Sequence, residues 1–217
     1  MLLIDKPKGM TSFDVIQILR KKLGIRKIGH AGTLDPLASG LLLVAVGDET
    51  KIIQQYVGLP KTYKVEMLIG ERRNTGDMEG KVLEEKHVDV LEENQVKEIM
   101  KSMVGILSLR VPIYSAVKQN GEPLYKKARR GEEVEAPIKD MEIHSFVFKG
   151  MTCEDGRCTI RAEMNVSSGS YVRSIVEEYG ERLGYPATTK ELRRTKVGEF
   201  NVENAEKIKT KNAVRIT

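Results

Sequence analysis

Long apolar runs are absent from this sequence, and so is any recognisable export signal. No segment approaches the roughly 18 consecutive apolar residues that a membrane-spanning helix needs. The first six residues, Met1 to Lys6, lack the basic segment followed by an apolar one that is typical of secretory signals. We therefore expect a soluble protein that works in the cytoplasm.

Metal-binding residues are also scarce. The chain has two cysteines and three histidines, and the histidines are scattered along it. A structural zinc site needs about four ligands at suitable spacing, so we expect no metal site. Cys153 and Cys158 flank a predicted hairpin turn. In the cytoplasm the simplest expectation is that both thiols stay reduced, with a cross-strand disulfide as the alternative.

The short motifs of several large enzyme classes are missing as well. The sequence contains no P-loop, no glycine-rich dinucleotide turn, no Gly-x-Ser-x-Gly elbow and no His-Glu-x-x-His. We therefore expect no cofactor. An aspartyl phosphotransferase is disfavoured too, because residues 35–37 are Asp-Pro-Leu and lack the second acid that such enzymes place two residues after the first.

Positive charge is only slightly in excess but is strongly clustered. The 36 Lys and Arg residues against 31 Asp and Glu give a net charge of +5, which permits nucleic-acid binding without requiring it. No carboxylate lies between Asp14 and Asp35, an interval that contains Arg20, Lys21, Lys22, Arg26, Lys27 and His30. A second cluster consists of Lys118, Lys126, Lys127, Arg129 and Arg130. Each cluster is either a solvated face or part of a nucleic-acid interface.

The pattern of apolar residues predicts a mixed α+β domain. Residues 2–4 form a short strand, and the following helix has N-caps at Thr11 and Ser12, a capping box closed by Asp14 and an end at Gly24. Further predicted elements are strands at 41–46, 63–69, 142–148, 159–166 and 192–200 and helices at 92–104 and 170–183. The basic segment 112–137, here called the flap, contains an Asn120-Gly121 turn and predicts a protruding hairpin.

One loop carries a pattern that suggests chemistry. Segment 29–40 has three glycines and one proline and shows neither helical nor strand periodicity, so it predicts a long irregular loop. It places a single carboxylate, Asp35, between a leucine and a proline, and the glycines leave room for a ligand near the backbone. Taken alone, this pattern fits a turn-starting aspartate as well as a catalytic one.

The wider segment distinguishes between these two interpretations. Gly-His-Ala-Gly-Thr-Leu-Asp-Pro-Leu-Ala-Ser-Gly at 29–40 resembles the aspartate motif of the TruB family of pseudouridine synthases. Other blocks resemble further motifs of this family in the expected order, at residues 3–12, 61–65, 113–118, 169–175 and 192–195. The resemblance implies the α+β pseudouridine synthase catalytic fold, with a mixed, mainly antiparallel central sheet flanked by helices.

The resemblance also implies an activity and its catalytic residues. The reaction would isomerise a uridine in the T loop of transfer RNA, at position 55, with Asp35 as the catalytic carboxylate. Arg173 would orient Asp35 as its ion-pair partner, and Tyr63 would face the uracil and help to remove the C5 proton. Considered without the family, Arg173 is a surface charge on a helix and Tyr63 a packed core aromatic. Asp35 could attack C1′ or take a proton from the ribose.

RNA-binding residues follow from the same resemblance. A uridine in a folded loop must be extruded, so His30 would fill the gap left by flipped bases while Tyr171 and Leu192 line the uracil pocket. The basic substrate-binding candidates are Lys6, Lys51, Lys118, Lys126, Lys127, Arg129 and Arg130. The flap corresponds to the RNA-gripping insertion of the family, and its cations would meet phosphates.

The expected organisation is one catalytic domain over residues 1–217 that contains the flap. Family members usually continue into a C-terminal PUA domain, so we expect a short form without it, acting as a monomer on the T arm of transfer RNA. Two alternatives stay open. One is a non-catalytic RNA-binding protein or tRNA-folding chaperone of the same fold, and the other is a pseudouridine synthase that acts on another RNA.

Overall fold

A computed structural model describes residues 1–208 of the chain. Its helices are α1 (Ser12–Leu23), α2 (Gln54–Val57), α3 (Glu93–Ser102), α4 (Leu124–Arg129) and α5 (Val172–Leu183). Its strands are β1 (Leu2–Lys6), β2 (Ile28–His30), β3 (Ser39–Val46), β4 (Lys61–Ile69), β5 (Glu71–Arg73), β6 (Val82–Glu85), β7 (Gly105–Arg110), β8 (Lys118–Gln119), β9 (Glu122–Pro123), β10 (Ile138–Glu154), β11 (Arg157–Val166), β12 (Ala187–Val197), β13 (Phe200–Asn201) and β14 (Glu206–Lys207). The 3₁₀ helices are Gly47–Lys51 and Val202–Asn204. The end of the predicted domain, up to Thr217, lies outside the described residues.

The chain divides into two compact units. Unit 1 consists of residues 1–61 together with the segment that starts at 193, and unit 2 consists of residues 62–192. Strand order in unit 1 is β14-β1-β3-β12, with β2 also paired to β3 and β13 to β12. In unit 2 the order is β12-β4-β11-β10-β7, so β12 has residues in both units. The expected single domain stays a prediction.

Antiparallel pairing prevails in these sheets. The pairs β1–β3, β2–β3, β7–β10, β10–β11 and β12–β13 are antiparallel, whereas β1–β14 and β3–β12 are parallel. The predicted α+β class with a mixed, mainly antiparallel sheet flanked by helices is confirmed.

Strand β3 forms the centre of unit 1 because both of its faces are buried. Leu42 and Val44 pack on one face in a cluster that includes Val15, Ile16 and Leu19 of α1. On the opposite face the cluster consists of Ala31, Leu41, Leu43, Val197 and Val202. A strand covered on both sides has a continuous apolar sequence rather than an alternating one, which accounts for the predicted run at 41–46.

The ends of α1 follow the local sequence signals closely. Thr11 is the N-cap, its side chain accepts from the backbone of Asp14, and the Asp14 carboxylate accepts from the backbone of Thr11. Gly24 ends the helix in the left-handed conformation, with φ of 69°. The predicted capping box and helix end are therefore confirmed, and they orient the helix whose first residue, Ser12, reaches the Asp35 loop.

Unit 2 packs its two longer helices on the β10–β11 hairpin. Phe146 of β10 meets Tyr179 of α5 edge-on, with ring centroids 5.7 Å apart, and the Tyr179 hydroxyl donates to the backbone carbonyl of Val96 in α3.

The flap contains the predicted hairpin, formed by β8 and β9. Its turn residues Asn120 and Gly121 have φ of 55° and 82°, as a two-residue Asn-Gly turn requires.

The expectation of two reduced thiols was wrong. Cys153 and Cys158 form a disulfide. The two residues occupy directly opposed positions of β10 and β11 with Cα atoms 4.1 Å apart, so the open alternative, a cross-strand bridge, is the one that the structure contains.

In the described part of the chain, no helix has the length and apolar character needed to cross a membrane.

Substituting Gly40 tests how tightly β3 and β12 are packed. Gly40 has φ of 105°, and an added Cβ would overlap the carbonyl of Arg194 and lie 2.8 Å from its amide nitrogen. We expect Gly40→Ala to lower the free energy of unfolding by about 2–4 kcal/mol, measured by urea denaturation. The matched control is Gly58→Ala, at φ of −71° with no atom within 4 Å. A similar loss of stability in both variants would contradict the packing argument.

Candidate active site and RNA-binding residues

The predicted site residues are distributed over the two units. Unit 1 contains the candidates Asp35, His30, Lys6 and Lys51. Unit 2 contains Tyr63, Arg173, Tyr171, Leu192 and the flap cations Lys118, Lys126, Lys127, Arg129 and Arg130.

Asp35 lies in an irregular loop, residues 31–38, whose backbone is fixed on both sides of the carboxylate. The loop is shorter than predicted, because His30 ends β2 and Ser39 starts β3. Leu34 exchanges two hydrogen bonds with the Ser12 hydroxyl: its amide donates to Oγ at 2.8 Å, and Oγ donates to its carbonyl at 3.1 Å. The Pro36 carbonyl accepts from the amide of Gly9 at 2.8 Å. The half-buried Asp35 is thus held between two anchored neighbours.

Lys6 organises the segment that holds this loop. Its side chain is fully buried, and its ammonium donates to the carbonyls of Pro7 at 3.0 Å and Met10 at 2.6 Å. These bonds shape the turn from which Gly9 donates to Pro36. Lys6 thus supports the backbone beside the Asp35 loop. A contact of Lys6 with the substrate stays a prediction.

His30 lies close to a buried cation of unit 1, Arg194. Burial lowers the pKa of its imidazole, and the nearby Arg194 guanidinium lowers it further, against a smaller opposing effect of the Gly32 backbone. Its Nδ1 atom is buried and has no hydrogen-bond partner within residues 1–208. A lowered pKa favours the uncharged imidazole, and the contact of His30 with RNA stays a prediction.

Lys61 and Arg194 flank the Asp35 loop at Gly32. A Cβ on Gly32 would lie 3.5 Å from a terminal nitrogen of Arg194 and 3.7 Å from Cε of Lys61. Lys61 donates to the carbonyl of Val57 at 2.5 Å, and burial, followed by the charge of Arg194, lowers its pKa to about 8. Lys51, by contrast, is exposed at the end of a 3₁₀ helix and pairs with Asp48 at 2.9 Å.

Arg173 is buried in the first turn of α5 and holds a loop of unit 2. Only 4% of it is exposed. Its two terminal nitrogens donate to the carbonyls of Thr75 at 2.7 Å and Tyr114 at 3.1 Å, and Nε lies 3.9 Å from a carboxylate oxygen of Asp77. The interpretation of Arg173 as a surface helix charge is therefore wrong. Carbonyls and a carboxylate compensate for a cation at the end of a helix where the dipole disfavours it.

Glu177 lies one turn beyond Arg173 on α5. Burial raises the pKa of its carboxyl to about 7, although the cations Arg173 and Arg72 oppose the shift. Gly76 packs between the two side chains, since an added Cβ would meet Glu177 Oε1 at 3.0 Å and Cβ of Arg173 at 3.3 Å. Groups with strongly shifted pKa values beside a buried cation are typical of functional sites.

The three residues predicted to contact uracil occupy different elements of unit 2. Tyr63 is buried in β4, and Leu192 is buried in β12. Tyr171 is the half-buried N-cap of α5, and the ammonium of Lys139 lies 6.0 Å from the centroid of its ring. Burial of Tyr63 and Leu192 is compatible with both a core role and the wall of a pocket, so their roles stay predictions.

The flap cations differ in how much charge they can offer to RNA. Arg130 makes a bidentate pair with Glu122 at 2.7 and 2.8 Å, and its Nε donates to Glu132 at 2.6 Å. The guanidinium of Arg129 stacks on Tyr125 at 5.6 Å. Two carboxylates therefore already neutralise Arg130, whereas Lys118 and Lys126 are exposed.

Four site residues were not among the candidates: Lys61, Asp77, Glu177 and Arg194. Lys61 and Arg194 lie in segments 61–65 and 192–195, which resemble motifs of the family. The sequence therefore showed two basic residues there but did not show that they are buried. The Asp77 carboxylate accepts hydrogen bonds from the Thr75 hydroxyl at 2.7 Å and from the Glu79 amide at 3.1 Å. No local sequence pattern predicts these contacts.

Comparison with known proteins gives a consistent result. The family model described as TruB family pseudouridylate synthase (N terminal domain) matches residues 20–172. tRNA pseudouridine synthase B of Bacillus cereus is 42% identical over 94% of this chain and 67% of its own length. The protein of the same name from Xylella fastidiosa is 41% identical over 93% of this chain and 65% of its own.

Solved structures show the same fold. A chain from a Cbf5–Nop10–Gar1 complex superposes with a TM-score of 0.70 at 28% identity, over 95% of this chain and 51% of that chain. One from an H/ACA RNP bound to a substrate RNA containing 2′-deoxyuridine gives a TM-score of 0.68 at 26% identity. This chain spans about half the length of these solved chains. By its matched family model and its relatives, the chain belongs to the TruB family of pseudouridine synthases.

Proposed function

We propose that this protein isomerises uridine to pseudouridine in transfer RNA, with Asp35 as the catalytic carboxylate. The main supporting observation is the Asp35 loop, in which hydrogen bonds from residues 9 and 12 anchor both neighbours of the carboxylate. A rigid backbone presents the charge in one direction, and such prior positioning supplies a large part of many rate enhancements. The names of the relatives indicate transfer RNA as the substrate class.

The chemistry needs one carboxylate and no consumed reagent. The N-glycosidic bond of uridine breaks, the uracil rotates within the site, and a bond forms between ribose C1′ and base C5. C5 then loses its proton and N1 gains one, so the overall reaction is an isomerisation. Asp35 can assist by attacking an oxocarbenium-like C1′ or by taking a ribose proton. The proposal keeps Arg173 as the cation that orients this carboxylate and Tyr63 as the residue that faces the base.

The finer proposal names the target as position 55 in the T loop. An internal uridine has to be extruded, at an unstacking cost of a few kcal/mol. His30, whose pKa is lowered by burial and by the charge of Arg194, is proposed to fill the vacated space. Tyr171 and Leu192 are proposed to line the uracil pocket, and Lys6 and Lys51 to support binding.

The flap is proposed to bind the phosphates of the T arm. The exposed Lys118 and Lys126 and the half-buried Lys127 carry most of this interaction, because Arg130 is engaged with Glu122 and Glu132. Arg129 contributes through its charge and its stacking on Tyr125. We propose that the protein acts as a monomer in the cytoplasm, as a single catalytic domain.

A second candidate is a pseudouridine synthase that acts on another RNA. The specific observation that favours it is the similarity to chains from an H/ACA RNP bound to a substrate RNA and from an archaeal box H/ACA sRNP complex. An unmodified tRNA transcript, without any other protein or RNA, separates the two candidates. Pseudouridine at position 55 supports the first, whereas modification that appears only with a different RNA supports the second. Binding without modification of any RNA would favour the chaperone alternative.

Replacing the catalytic carboxylate gives the direct test. We expect Asp35→Asn to bind tRNA with a Kd close to that of the unchanged protein but to form pseudouridine more than about 1000-fold more slowly. The amide keeps the size of the side chain and loses its charge. Single-turnover tritium release from [5-³H]uridine tRNA measures the rate.

The matched control for Asp35→Asn is Asp155→Asn. Asp155 has φ of 50°, a conformation that Asn tolerates, so this variant should keep full activity. Turnover by Asp35→Asn within tenfold of the unchanged protein would rule out Asp35 as the catalytic carboxylate.

The ion pairs of the flap lead to a second test. Each phosphate contact contributes about 0.7–0.9 to the slope of log K against log salt concentration. We expect the double variant Lys126→Gln, Lys127→Gln to reduce this slope by about 1–2 and to raise KM more than it lowers kcat. Arg130→Gln should change the slope less, because its charge is already compensated. Filter binding from 50 to 300 mM salt measures the slopes, and equal effects of both variants would contradict this assignment.

A further inference from the structure

Arg194 is almost completely buried, and its side chain connects the two ends of the Asp35 loop. Only 1% of the residue is exposed. Its Nε donates to the carbonyl of Leu41 at 2.7 Å, and its Nη2 donates to the carbonyl of Gly32 at 3.0 Å. Gly32 lies near the start of the loop, and Leu41 is the third residue of β3, which follows the loop. One planar guanidinium therefore fixes the separation of the two points between which Asp35 is held.

The main chain of Arg194 fixes the same place a second time. Arg194 is the parallel partner of Gly40 in the β3–β12 pair, and the approach is so close that no Cβ fits on Gly40. The loop thus leaves β2 and enters β3 at points set by both the backbone and the side chain of a single residue. Loss of the side chain would remove the bonds to Gly32 and Leu41 while leaving the strand pairing in place.

The charge of Arg194 is unusual for a buried residue. Within residues 1–208 no carboxylate pairs with it, and its side chain donates hydrogen bonds to the backbone carbonyls of Leu41 and Gly32. Burying a cation without a counter-ion is costly, and even buried ion pairs can often be replaced by apolar side chains of similar volume without loss of stability. Stability alone is a weak reason for a guanidinium here, whereas only a donor with two separated N–H groups can hold both carbonyls.

The field of this cation acts on the residues around the loop. Arg194 lowers the pKa of both His30 and Lys61, in each case as the second cause after burial. Burial and this charge together favour the uncharged form of the His30 imidazole. Arg194 and Lys61 both lie beside Gly32 of the loop, and the backbone of Gly32 acts in the opposite direction on the pKa of His30.

We propose that Arg194 is a positioning residue for the isomerisation: it holds both ends of the loop 31–38 and so sets the direction in which Asp35 and His30 face the RNA. The link to catalysis depends on the function proposed above, while the link to loop geometry does not. Arg194 does not touch the substrate in this proposal, because its side chain is buried behind the loop backbone.

Three measurements on Arg194→Gln and Arg194→Lys test this proposal. We expect Arg194→Gln to bind tRNA within about twofold of the unchanged protein but to react about 10- to 100-fold more slowly in a single turnover, as displaced catalytic groups do. Amide hydrogen exchange at residues 31–38 should become faster. Arg194→Lys keeps the charge and can reach one carbonyl, so its rate should lie between those of the other two proteins.

The titration of His30 separates positioning from general loosening of the fold. In Arg194→Gln the repelling charge is gone, so the pKa of His30 rises, as followed by NMR of the imidazole protons. In Arg194→Lys it stays near the value of the unchanged protein. A loss of rate with equal His30 titration in all three proteins would overturn the proposal.

Arg193→Gln is the matched control on the same strand. Arg193 pairs with Asp5 through two bonds of 3.0 and 2.9 Å and donates to the Ser39 hydroxyl at 3.3 Å, but it makes no bond with a carbonyl of the loop. It should change neither the exchange of residues 31–38 nor the titration of His30. Equal effects of Arg193→Gln and Arg194→Gln would overturn the proposal. If Arg194→Gln fails to fold, the comparison of Arg194→Lys with Arg193→Gln decides the question.

Failure of the proposed function would look different. The proposed activity would be contradicted if the protein without substitutions formed no pseudouridine in any tRNA. Hydrogen exchange and the His30 titration would still report whether Arg194 holds the loop. An active protein in which Arg194→Gln keeps the original rate and a protected loop would contradict the positioning role alone.

Discussion

The close approach of β3 and β12 at Gly40 and Arg194 is the constraint on which the arrangement of unit 1 depends. With no space for a side chain at Gly40, the start of β3 has one position relative to β12, and the guanidinium of Arg194 extends this control to Gly32. Ser12 and Gly9 then hold the middle of the loop through Leu34 and Pro36. The carboxylate of Asp35 is therefore placed by backbone interactions that persist when the charge itself changes.

Two buried arginines solve the same electrostatic problem in different ways. Arg173 has a carboxylate, Asp77, within 3.9 Å in addition to two carbonyls, whereas Arg194 relies on carbonyls. Partial compensation by dipoles leaves a positive potential, which adds to the larger effect of burial in lowering the pKa values of His30 and Lys61. Both guanidiniums join segments that are distant in sequence, because a planar group with several donors can bind two carbonyls at once.

Local signals predicted much of the fold, and the failures share one cause. The capping box of α1, its end at Gly24 and the Asn120-Gly121 hairpin depend on residues within a few positions of one another, so the sequence was sufficient. The neutralisation of Arg130 by Glu122 and Glu132 depends on how α4 returns to the hairpin, and the Cys153–Cys158 bridge depends on the register of β10 with β11. Pattern alone left each of these open.

The sequence by itself determined the family, the α+β class, the Asp35 loop and the candidate residues, because motifs and periodicity are properties of short segments. Only the tertiary structure decided which charges are buried and what they hold. In the sequence, Lys6 and Arg194 are simply two cations within motifs. In the structure, Lys6 shapes the turn at residues 7–10 and Arg194 joins Gly32 to Leu41. The physical reason is that burial and hydrogen-bond partners arise when segments more than 150 residues apart, such as Gly32 and Arg194, come together in one core.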